Sequence, residues 1–431
     1  MKPRERIKAA LDHRATDILP VDFGASPVTG IAASLIFQLR EKLGLERRAV
    51  KIVDPFQMLG EIDDELKEYL QTDVACILPR QNAFGIENKG WREWRLFDGT
   101  PVLVPGGLNT GPDASGNIFA YPQGDRTAAP SAVMPRGGYY FDALIRQKPI
   151  DEARLDVADN LEEFTLLEDE ELRYIETETD RLYRETDSAI IGLPGGTALG
   201  DIAKVPGLGL KDPRGIRDIE EWYISTIARK SYLKELFDRQ TDIALQNLEM
   251  YRQAVGDKIA VIYLCGNDFG TQNALFCSVE LYRDLYLPYY QKMTAWIHNR
   301  TNWKVFKHSC GAIEPLIESM IESGFDILNP VQCSATGMDP AALKEKYGCR
   351  ITFWGGGVNT QKTLPFGTPE EVRREVRERI GIFSLGGGYV FNTIHNVQAK
   401  IPVENFMTMV ETIKEFRVPR RAEDQRCENC G

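Results

Sequence analysis

From residue 189 onward, short apolar runs rich in β-formers alternate with longer stretches whose apolar positions recur at helical spacing. "AIIGLPGG" (189–196) precedes an amphipathic pattern near 218–254, and "IAVIYLCGNDFG" (259–270) precedes a helix around 279–299. "WKVFKHSCG" (303–311) leads into "AIEPLIESMIESG", where Gly324 supplies a helix stop. "DILNPVQC" (326–333) leads into "DPAALKEKYG", with Asp339 as N-cap and Pro340 in the first helical position. "ITFWGGGV" (351–358) and "YVFNTIHNV" (389–397) begin the last two units, each followed by a helical pattern. Two further strands are expected upstream, at 18–24 and 72–79. Continuous apolar strands between helices indicate a parallel sheet covered on both faces, and eight such units in order predict a TIM (β/α)8 barrel. A doubly wound sheet is the alternative, but no Gly-x-Gly-x-x-Gly follows the first strand.

The alternation breaks between strands 2 and 3. Residues 84–145 are rich in Gly, Pro and aromatics and contain an Asp-Gly turn signal, which predicts an inserted, β-rich set of hairpins. An insertion there would hang over the C-terminal ends of the strands, either as a lid or as a solvated ornament. An acidic helical stretch, 151–186, returns to the barrel. The expectation is one barrel over residues 1–431, with 84–145 as a subdomain and 418–431 as a flexible tail carrying the lone CxxC of Cys427 and Cys430.

Composition narrows the function. With 43% hydrophobic and 27% charged residues, the chain reads as an ordinary globular protein. A net charge of −11 without a basic patch excludes nucleic acid as the natural partner. No apolar run reaches a membrane span and "MKPRERIKAALDHR" is not a signal peptide, so a cytoplasmic protein is expected. Eight Cys at irregular spacing do not form a disulfide framework; clustered Cys in a reducing compartment bind metal or do chemistry.

In such a barrel the C-terminal strand ends converge on one site. His308 and Cys310 end strand 5, Cys333 ends strand 6 and His395 ends strand 8. Two imidazoles and two thiols suit tetrahedral Zn²⁺; alternatively these side chains only line a pocket and hydrogen-bond substrate. Asn267 and Asp268 after strand 4, Gln332, Asn359 with Gln361, Asn392 and Asp73 are polar strand-end residues suited to orienting a substrate. Trp354 supplies either a flat pocket wall or core.

The opening "PRERIKAALDHRATDILPVDFG", the segment "HSCGAIEPLIESMIESGFDILNP" and "NTIHNVQAKIPVENF" resemble the uroporphyrinogen decarboxylase superfamily. The resemblance implies a TIM barrel and two candidate activities. The decarboxylase holds the acetates of its porphyrinogen with arginines just after strand 1, where this chain reads "VDFGASPVTGI"; its pyrrole-holding Asp and strand-8 His would be matched by Asp73 and His395. The cobalamin-dependent methyltransferase branch carries zinc on a His-x-Cys motif, matched by His308 and Cys310, plus a Cys at the end of strand 8, where this chain has His395. Cys333 falls where related enzymes place a further ligand.

The resemblance therefore implies a zinc-dependent methyltransferase that moves a methyl group between a methoxyaromatic, amine or thiol and a corrinoid (cobalamin) on a small partner protein. Asp268 or His395 would give acid–base help, and a homodimer is common among relatives. The competing expectations are a decarboxylase of a tetrapyrrole or other polycarboxylate, and a non-catalytic corrinoid- or tetrapyrrole-binding protein.

Overall fold

The computed structural model describes residues 1–418; the predicted tail and its CxxC therefore fall outside the described residues, apart from Val418. Seven parallel strands form one curled sheet. Their spatial order is Tyr389–Val390, Thr352–Trp354, Ile327–Asn329, Lys304–His308, Val261–Cys265, Ala189–Gly192 and Val74–Cys76. The eighth predicted strand is reduced to a single bridge. Val21 pairs in parallel with Phe391, and its carbonyl accepts from Asp73 N at 2.8 Å, so one short span touches both edges of the sheet. Pro20, without an N–H, and the turn at Gly24 leave little room for a longer ladder.

The apolar runs are continuous because both faces are buried. Ile191, Val261, Phe306, Ile327 and Trp354 pack into one inner cluster, whereas their neighbours Ile190, Ile262, Val305, Leu328 and Phe353 belong to the outer core under the helices. The N-terminal helix Pro3–Leu11 plugs the strand-start end through Ile7, Ala10 and Leu11. The opposite, C-terminal end is left for the site.

The predicted helix signals act as expected. Asp339 caps Pro340–Tyr347, and Thr368 with Glu371 forms a capping box on Pro369–Phe383. Gly324 follows Glu314–Glu322 at φ +87°, and a Cβ there would meet Thr294 Oγ1 at 2.4 Å.

Residues 84–145 contain the hairpin Arg92–Arg95/Pro101–Val104, turned at Asp98–Gly99, and a three-stranded antiparallel sheet of Ile118–Ala120, Ala132–Met134 and Asp142–Ala143. Two strands absent from the sequence reading, Val50–Asp54 and Leu59–Gly60, extend the first of these, Val50–Asp54 pairing in parallel with Pro101–Val104. Phe84 links Phe56 to Phe141 by edge-to-face contacts of 6.1 and 5.6 Å, which fixes this region to the barrel mouth. The acidic stretch gives the helix Asp169–Glu185. Among the described residues, no helix is long and apolar enough to cross a membrane.

Candidate metal centre

Because Phe306 points into the barrel, the two-residue period of the strand directs His308 inward at its C-terminal end. Its Nδ1 lies 2.6 Å from Asn329 Oδ1, and Asn329 Nδ2 donates to the Trp354 carbonyl at 2.7 Å. That second bond orients the amide, so the proton of a neutral imidazole sits on Nδ1 and Nε2 keeps its lone pair. Nε2 faces Cys310 Sγ at 3.4 Å and Asp268 Oδ1 at 3.7 Å.

The turn after the strand sets Cys310. Its N–H donates to Asp268 Oδ1 at 2.7 Å, Ser309 Oγ accepts from Phe269 N at 3.0 Å, and Gly311 N donates to Gln332 Oε1 at 2.8 Å. Gly311, at φ +93°, lies so close to Gly270 that a Cβ would meet its backbone at 2.3 Å. Behind the turn, the buried Lys307 ammonium donates to Asn267 O at 2.7 Å and lies over the Phe269 ring at 4.9 Å.

His395 completes the group from the last strand connection, at φ +67°. Its ring meets that of His308 edge to face, with centroids 5.1 Å apart. Donor atoms of His308, Cys310 and His395 all lie within 4.8 Å of one another. Burial lowers the His308 pKa to about 4, and burial with the charge of His308 lowers that of His395 to about 3. Both rings are therefore neutral near pH 7, while burial and Asp268 push the Cys310 thiol up.

Two neutral imidazoles and one thiol are the N/S donors that zinc takes, and His308 and Cys310 fit it directly. His395 fits with a condition. Its Nδ1 accepts from Asn396 N at 2.8 Å, which puts the ring proton on Nε2. A metal would take this ring only by displacing that proton or that hydrogen bond.

Cys333 does not join the group. Val331 stands at φ +58°, the thiol folds back to donate to the Val331 carbonyl at 3.3 Å, and its charged neighbours are Arg379 and Glu375. Asp268, whose Oδ1 stands 3.7 Å from His308 Nε2, is the carboxylate beside the group.

A cavity of about 520 Å³ opens at the C-terminal strand ends and is lined by His308, His395 and Asp268. Its wall draws on residues from 24–30, 53–60, 78–83, 193–208 and 263–268 rather than on the hairpins beyond Phe84. None of the six expected substrate contacts lines it. Asp73 lies at the opposite end, fully buried between Arg6 and Arg417. Trp354 is core, 5.5 Å from Phe306, with its Nε1 donating to Asp22 Oδ2 at 2.9 Å. Asn392 is buried and donates to Asp22 O at 2.7 Å, and Asn359 caps a turn by accepting from the backbone of Gln361 and Lys362. Asn267 bonds Leu199 O, and Gln332 braces Gly311. Polar strand-end residues here mostly hold loops. Sequence reasoning missed Asn329, a polar residue at the end of an apolar run, and the cavity residues Asp201 and Tyr263, which carry no local signal.

A curled parallel sheet with its donor cluster at the C-terminal strand ends is the architecture of a TIM-like α/β protein. Residues 212–416 match the family model described as uroporphyrinogen decarboxylase (URO-D). The chain is 32% identical over 91 residues to a uroporphyrinogen decarboxylase of Psychromonas ingrahamii, covering 20% of this chain and 25% of that one. It is 25% identical over 193 residues to the enzyme of that name from Actinobacillus succinogenes, covering 43% and 48%. The chain thus spans a quarter to a half of the length of these relatives. Among solved structures, a methyltransferase from Methanosarcina mazei superposes with a TM-score of 0.54 at 16% identity, covering 97% of this chain and all of that one. That likeness concerns the fold.

Proposed function

We propose that the protein is a zinc-dependent methyltransferase that moves a methyl group between a small methylated substrate and a corrinoid held on a separate small protein. The observation that carries this reading is the meeting of His308, Cys310 and His395 at one wall of the large cavity. When bound there, zinc supplies a Lewis acid that steadies negative charge on the oxygen or sulfur giving up or taking the methyl group.

The chain's own groups do the rest. Asn329 holds the His308 tautomer. Asp268 Oδ1, 3.7 Å from His308 Nε2 and on the cavity wall, takes the proton released by a thiol or hydroxyl and returns it in the reverse direction.

The names of the sequence relatives favour a second reading, a porphyrinogen decarboxylase. The cavity's charge opposes it. Its charged lining is Asp54, Asp201, Asp268 and a single Lys204, with no arginine, so the acetates of a porphyrinogen would lack partners. The two readings separate in one assay: purified protein is offered cob(I)alamin with methylated donors, and separately uroporphyrinogen. Methylcobalamin formation without carbon dioxide release is expected; carbon dioxide release without corrinoid would reverse the assignment.

A further inference from the structure

The cavity has a second polar wall that the metal reading does not use. Asp201 is 8% exposed; its Oδ1 accepts from Ala203 N at 3.1 Å, and among the described residues nothing donates to its Oδ2. Tyr263 stands on the inner face of its strand, stacked on Phe306 at 5.3 Å, and its hydroxyl likewise has no partner among the described residues. Both oxygens close on one point. A Cβ at Gly266 would meet the Tyr263 hydroxyl at 2.6 Å and Asp201 Oδ2 at 3.2 Å, so the glycine keeps that point clear.

A carboxylate acceptor beside a hydroxyl that both donates and accepts is matched by a ligand hydroxyl. The rest of the wall sets the remaining chemistry. Phe56, Val28, Leu59 and Leu193 are apolar and offer flat contact to a ring, and about 520 Å³ admits a substituted ring with room beside it. Asp54 is already satisfied within its own turn, accepting from Phe56 N, Gln57 N and Gln57 Nε2. Asp201 and Asp268 therefore leave the interior acidic, with Lys204 at its edge. An anionic ligand would be desolvated against like charge there.

We infer that Asp201 and Tyr263 select the substrate, admitting an uncharged aromatic methyl ether that bears a ring hydroxyl and rejecting rings that carry a carboxylate. This rests on the methyltransferase reading for the ligand being a methyl donor, but the selection itself is read by binding alone.

The test is calorimetric titration of the full-length protein near neutral pH with 2-methoxyphenol, methoxybenzene and 4-hydroxy-3-methoxybenzoate. The phenol is expected to bind about tenfold or more tightly than either other probe. Asp201→Asn, which keeps the acceptor for Ala203 N, should close most of the gap to the carboxylate. Tyr263→Phe should bring the phenol down towards methoxybenzene, and zinc content should match the parent in both variants. Equal or tighter binding of the carboxylate by the parent, no binding of the phenol, or a gap unmoved by Asp201→Asn would each overturn the inference. No corrinoid or turnover is involved, so absent methyl transfer with intact selectivity would count against the function alone.

Discussion

His308 and Asn329 are register partners on adjacent parallel strands, and their side chains meet inside the barrel with Nδ1 and Oδ1 2.6 Å apart. The sheet's own pairing thus supplies the bond that fixes the imidazole tautomer. Because Asn329 is fully buried and also holds the Trp354 carbonyl, its amide cannot turn to present nitrogen instead.

Asn329→Ala removes that support without touching a donor atom. Zinc affinity should fall about ten- to a hundredfold, measured by competition with a chromogenic chelator. Denaturant unfolding of the metal-free protein should show a loss of about 1–3 kcal/mol from the unmet polar groups.

His395 separates a metal ligand from a substrate contact. If its ring is the third donor, His395→Cys should retain zinc, since thiolate replaces imidazole on this metal, whereas His395→Ala should bind it more weakly. If the ring only faces substrate, both variants should hold zinc like the parent. Metal content of the dialysed proteins reads the difference.

Acid should destabilise the metal-free protein in a defined window. The folded pKa values of about 4 for His308 and about 3 for His395 lie below the ordinary 6.5, so the unfolded chain binds the extra protons. Stability then rises with pH from about 4 to 6.5 and is lost as pH falls through that range. His308→Gln should flatten part of this slope in denaturation curves taken across the window.

Much of the barrel could be read from the chain because a strand buried on both faces must be apolar at every position. Ala189–Gly192 and Val261–Cys265 met that condition, and capping residues such as Asp339 and Thr368 marked the helices further along. "VKIVD", with Val50 and Ile52 buried in alternation, carries a strand signal of the half-exposed, alternating kind rather than a continuous apolar run. His308 and Cys310 were found because one strand end delivers both. Cys333 stands at a similar distance past its own strand, but the turn at Val331 sends it to the outer side, and side-chain direction after a strand end is not written in spacing. The five polar residues expected at the substrate lie outside the cavity lining for a related reason: where loops meet, buried backbone groups need partners, and Asn, Gln and Asp supply them.

Zinc content of the purified chain bears on the central claim most directly. The parent protein and Cys333→Ser should each carry about one zinc per chain, and Cys310→Ser should carry far less. Zinc absent from the parent, or unchanged in Cys310→Ser, would contradict a metal centre at His308, Cys310 and His395.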